Sequence, residues 1–186
     1  STSSGSFSFK TPNAGKSGVS GGFTYSTGDG SKHTGDSGGF SLSTGNAVGG
    51  KAGSMTLKMG TGNVGNGGSF SLDVGDTTGA NGDGGSITVI AGHANDGGSN
   101  DGGSITVTAG SSSGSGNDDD GGSITINAGE AATGNGGNID IQTGYSKSTS
   151  SGSFSFKTPN AGKSGVSGGF TYSTGDGSKH TGDSGG

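Results

Sequence analysis

The sequence predicts an all-β fold: a parallel β-solenoid (β-helix) of stacked 15–19-residue coils, with nine coils per 147-residue period. Three observations point there. Residues 148–186 repeat residues 1–39 letter for letter. Within that long period, a pair of large apolar residues one residue apart recurs every 15–19 residues. Glycine brackets each pair at fixed positions. Internal repetition is read before any local signal, because it decides the architecture.

The long period sets the domain organisation. Residues 1–147 form one full long repeat of nine coils, and 148–186 open the next identical repeat with about two coils. The apolar pairs are Phe7/Phe9, Phe23/Tyr25, Phe40/Leu42, Met55/Leu57, Phe70/Leu72, Ile87/Val89, Ile105/Val107, Ile124/Ile126 and Ile139/Ile141, with Phe154/Phe156 and Phe170/Tyr172 in the copy. These eighteen residues of the first period are the expected structural core.

Taking the first apolar residue of each pair as position 0, position −2 is always glycine: Gly5, Gly21, Gly38, Gly53, Gly68, Gly85, Gly103, Gly122 and Gly137, then Gly152 and Gly168. Position +5 is glycine except at Pro12 and its copy Pro159. Between these marks lies period-two alternation such as Ser86-Ile87-Thr88-Val89, the pattern of a half-buried strand. The bracketing glycines are expected to turn corners through positive φ, and proline also suits a corner or strand edge. Positions 0, +2, +4 and +7 are expected to face inward, with large residues on one wall and small ones such as Ala14, Ala47, Ala94 and Ala131 opposite.

One coil is too small to stand alone. Burying two large side chains contributes roughly 3–6 kcal/mol, and ordering about 16 residues costs at least as many kcal/mol in backbone entropy. Stacking is expected to supply the difference, with Phe7, Phe23, Phe40, Met55 and Phe70 forming one ladder and Ile87, Ile105, Ile124 and Ile139 another. At a strand spacing of about 4.8 Å, nine coils would advance roughly 43 Å. The longest coils, between Gly92 and Gly122, are expected to carry their extra residues in a corner loop.

Composition narrows the function classes. Glycine accounts for 49 of 186 residues and apolar residues for 22%, against about half in ordinary globular domains. Such composition alone suggests disorder, but the apolar residues recur in register. With no cysteine, the chain builds no disulfide or thiolate metal site. Nine basic residues against a net charge of −5 argue against nucleic-acid binding. No run approaches the ~18 apolar residues of a membrane span, so no membrane insertion is expected. No asparagine sits in an N-x-Ser/Thr sequon, while Ser and Thr leave O-glycosylation open.

Segments such as Gly103-Ser104-Ile105-Thr106-Val107-Thr108-Ala109-Gly110 and Gly137-Asn138-Ile139-Asp140-Ile141-Gln142-Thr143-Gly144 resemble coils of secreted β-solenoid fibres. Filamentous-haemagglutinin-type adhesins are one such family. Giant Gly/Ser/Thr-rich extracellular repeat proteins of microalgae such as diatoms are another, closer in composition. The irregular coil length departs from the strict period of the haemagglutinin type. The resemblance implies an extracellular or cell-surface location and a fibre or surface appendage.

The candidate chemistry is sparse. Asp118, Asp119 and Asp120 are the best Ca²⁺ candidates, since Ca²⁺ takes several carboxylate and carbonyl oxygens. The competing reading is an Asn/Asp ladder at tight turns, because Asp83, Asp101 and Asp120 share their place before the Gly-Gly pair with Asn66 and Asn135. We favour the ladder, and no other cofactor is expected. The outward column at +1 (Ser8, Thr24, Ser41, Thr56, Ser71, Thr88, Thr106, Thr125, Asp140) has the hydroxyl character of an ice-binding face. Lys10, Lys58, Asp73, Ile90 and Gln142 in the neighbouring +3 column would spoil such a plane. His33 and His93 are isolated in separate loops, and His180 copies His33. No nucleophile–base spacing, phosphate loop or carboxylate pair is present, so no enzyme activity is expected.

The expected function is therefore structural: a fibre-forming extracellular repeat segment that self-associates with identical chains, laterally or end to end. An adhesin stalk or ice-binding module using the Thr/Ser column is the first alternative, with glycans or surfaces as partners. A Ca²⁺-stiffened adhesin repeat is the second.

Overall fold

The computed structural model describes residues 4–33, 35–95, 98–114, 116 and 119–176. Among these residues the chain forms no helix and no strand. This overturns the expected all-β parallel β-solenoid. The physical reason lies in which residues meet.

A parallel coil sets each residue beside its equivalent one coil later. Here the neighbours are different. The amide of Gly85 donates to the carbonyl of Gly75 at 2.9 Å, that of Gly103 to Gly92 at 2.9 Å, and that of Gly122 to Gly110 at 2.8 Å. Gly137 to Gly129 and Gly152 to Gly144, both 2.9 Å, Gly68 to Gly60 at 3.1 Å and Gly38 to Gly28 at 3.5 Å follow the same rule. In every case position −2 of one segment bonds position +5 of the segment before it.

Side chains extend the pattern. Phe9 stands 5.7 Å from Phe23, Tyr25 stands 5.0 Å from Phe40, and Phe156 stands 5.4 Å from Phe170, ring centre to ring centre. Position +2 thus meets position 0 of the next segment, rather than 0 meeting 0 as the expected ladders require. One index rises as the other falls, which places consecutive segments in opposite directions. The chain reverses at each loop instead of winding onward.

A single bond per loop does not make a sheet. An antiparallel ladder needs pairs of residues that exchange bonds in both directions. Here only the −2 amide donates, and the acceptor at +5 is offset by one residue from the +4 side chain that faces the same glycine. The remaining backbone groups of each segment lie in reach of water, which satisfies them.

Two compact units, Ser1–Thr88 and Val89–Gly186, divide the chain. Neither contains a buried residue among those described. The expected core is therefore corrected throughout. Phe7, Phe9, Phe23, Tyr25, Phe40, Leu42, Met55, Leu57, Phe70, Leu72 and Ile87 are all exposed in the first unit. Val89, Ile105, Val107, Ile124, Ile126, Ile139 and Ile141 are all exposed in the second. The aliphatic members at +2 fare no better than the aromatic ones: Leu57, Leu72 and Ile126 keep 67%, 58% and 69% of their surface in water. Met59, the most covered of the large apolar side chains, is still 38% exposed. Reversal explains this, because a back-and-forth layer has no second wall to close over its apolar side. The small residues at +7 belong to the loops.

The described residues that are half-buried are Thr11, Ala91, Ala109 and Ser146. Three of the four occupy position +4, directly against a −2 glycine. That contact corrects the role expected of the corner glycines. Positive φ occurs among the described residues at Gly49, Gly65 and Asn81, all within loops and none at −2. Glycine stands at −2 because of close approach. A Cβ on Gly85 would lie 3.1 Å from the Val74 Cβ, and one on Gly103 would lie 3.1 Å from the Gly92 nitrogen. The same approach, from +4, recurs at all ten loops; at the loosest, Gly21, the distance to the Thr11 Cβ is 3.8 Å.

Variable length is absorbed in the loops. The longest described closures, Gly92 to Gly103 and Gly110 to Gly122, keep bonds as short as those of the shortest loops. The junction between long periods, Lys147 to Ser148, falls inside the closure from Gly144 to Gly152 and leaves the register unchanged.

Candidate interaction surface

Within a segment, side chains two residues apart touch. The rings of Phe7 and Phe9 meet edge to face at 5.0 Å, and those of Phe154 and Phe156 at 4.5 Å. On the other side of the chain, the hydroxyl of Ser71 donates to the Asp73 carboxylate at 3.1 Å. Positions 0, +2 and +4 therefore share one side, and −1, +1 and +3 share the other, as an extended backbone requires.

The two sides differ in chemistry. The first carries Phe, Tyr, Leu, Met, Ile and Val at 0 and +2, with Thr, Ala, Met or Val at +4, and no charged residue at any of these positions. The second carries mainly Ser and Thr, with Lys10, Lys58, Asp73, Asp140 and Lys157 as its charges.

Where Phe9 meets Phe23 lies a notch of about 420 Å³ lined by Phe9, Lys10, Thr11 and Phe23. Its copy, about 300 Å³, is lined by Phe156, Lys157, Thr158 and Phe170. Sequence reading missed the notch. It joins +2 of one segment to 0 of the next, a pairing that appears only once the chain direction is known. Phenylalanine at both positions is the signal that marks it.

The acidic candidates separate. Asp118 lies outside the described residues. The Asp119 carboxylate accepts a hydrogen bond from the Gly116 amide at 2.5 Å, which ties it to its own loop. Asp120 is exposed just before Gly121. Among the described residues no group of three or more His, Cys, Asp or Glu is placed to hold a metal ion. His33 and His93 are exposed in different loops, and His180 lies outside the described residues.

Other loops close on hydroxyls. Ser146 accepts from the amides of Thr149 at 2.9 Å and Ser148 at 3.4 Å, and its hydroxyl shares a 3.0 Å bond with that of Thr149. These are local turn contacts of the kind Ser and Thr supply.

Among the described residues no helix is long and apolar enough to cross a membrane. No family model, curated protein or solved structure matches the chain.

Proposed function

We propose that this chain is a structural, self-associating repeat segment of an extracellular polymer, one that forms fibres or a surface appendage. The supporting observation is the exact copying of residues 1–39 at 148–186, combined with an apolar side that stays exposed in both units. A polymer gains reach with every added period, whereas a catalytic site gains nothing from identical copies at 147-residue intervals. Exposed apolar surface on this scale marks an interaction site.

The test is electron microscopy and sedimentation of a chain carrying three full periods. Filaments or lateral bundles that lengthen with period number are expected. Dispersed single chains at all concentrations would remove the structural reading and return the adhesin-stalk alternative to first place.

A further inference from the structure

We propose that the apolar side is an interface between copies of this chain, joined face to face through positions 0 and +2. The notch between Phe9 and Phe23, with its copy between Phe156 and Phe170, receives an apolar side chain of the facing copy. The inference rests on the self-association reading and deepens it by naming the surface.

Area supports it. Between Phe7 and Ile87, eleven large side chains stand at positions 0 and +2, each between 48% and 85% exposed. Six of them are aromatic side chains of ~150–250 Å² each, so about 100 Å² of each aromatic one, and somewhat less of each aliphatic one, remains to be covered. The stripe of that one unit then offers on the order of 1,000 Å², above the ~800 Å² per partner of a stable interface.

Charge supports a copy of this chain as the occupant. The chain carries a net charge of −5, yet positions 0, +2 and +4 carry none. Two net-negative molecules therefore meet on this side without bringing carboxylates together, and the charges beside the contact are Lys10 and Lys157 at the rims of the two notches. A lipid surface fits less well, because the chain is net negative and Lys10, at the rim of the notch, is the one cation lining it. The stripe also returns with each period, so one engaged pair brings the next into range.

The test uses the 186-residue chain, which has no cysteine of its own. Leu42→Cys places a thiol on the apolar side and Ser41→Cys places one on the hydroxyl side, one residue away. Under mild oxidation, Leu42→Cys should form disulfide dimers at least about fivefold faster. Phe9→Asp with Phe156→Asp should weaken association about tenfold or more in sedimentation equilibrium, while Ser8→Asp with Ser155→Asp changes it less than about twofold. Association with Ser41→Cys cross-linking as fast or faster overturns the face assignment and leaves self-association standing. A chain that is monomeric throughout overturns both. A monomeric chain that floats with phosphatidylcholine vesicles overturns both as well and makes a bilayer the occupant.

Discussion

The amide of Gly122 donates to the carbonyl of Gly110 at 2.8 Å, so the most widely spaced of the bonded glycine pairs has the shortest bond. Loop length and closure are thus independent. What holds the closure is local: a bare glycine at −2 lying against Ala109 and the backbone of Gly110. Adding residues to the loop costs little, since closure entropy rises only with the logarithm of length.

A side chain at −2 should break the closure it sits in. Gly85→Val would press against the Val74 Cβ, 3.1 Å from the first added carbon, whereas the same change at Gly84 meets nothing within 4 Å. Loss of the bond, about 1 kcal/mol, should quicken hydrogen exchange at the residue-85 amide roughly fivefold. Gly84→Val should leave that amide unchanged.

Asn81 holds a φ of 70°, where a side chain with a Cβ is strained by about 1–2 kcal/mol. Asn81→Ala should loosen the loop between Gly75 and Gly85, and Asn81→Gly should not. Amide exchange or backbone relaxation across residues 76–84 measures both.

Calcium should not stiffen the Gly110–Gly122 loop. Ca²⁺ needs six to eight oxygen ligands, and one Asp119 oxygen already serves the Gly116 amide. Thermal unfolding and Gly116 exchange should be the same in millimolar Ca²⁺ and in chelator. Asp119→Ala should speed Gly116 exchange severalfold, with Asp119→Asn falling between the two.

Salt should distinguish the source of association. Contact through an uncharged stripe survives sodium chloride and is strengthened by ammonium sulfate, which favours apolar burial. Contact through the loop charges would weaken as ionic strength rises. Sedimentation across both salts is expected to show the first behaviour.

The glycines at −2 and +5 were legible as the places where the chain closes on itself, and seven such pairs are bonded, from Gly28–Gly38 to Gly144–Gly152. The solenoid, the buried core of the apolar pairs and the positive-φ corners read from the same residues are not what the structure shows. Direction is absent from such a pattern. A segment that winds onward and one that folds back show the same 15–19-residue recurrence, because one short apolar pair per repeat fits either. Leu57, Leu72 and Ile126 alternate with polar neighbours as core residues would, yet alternation reports only which side a residue shares and not what covers that side. The small residues at +7, such as Ala47 and Ala94, read as an opposing wall only if the chain is assumed to wind. Gly85 and Gly103 are legible as punctuation, but their reason is the space left by Val74 and Gly92, which no single-chain pattern displays. The Phe9–Phe23 notch follows from the reversal and was hidden with it.

The closures also have a mechanical reading. Between Gly110 and Gly122 lie eleven residues, roughly 40 Å at ~3.3–3.6 Å per residue when drawn straight, and the bond between the two glycines closes that length. The seven bonded closures among the described residues each hold back such a length of chain. Stretched from its ends, such a chain is expected to yield in many minor steps, one closure at a time.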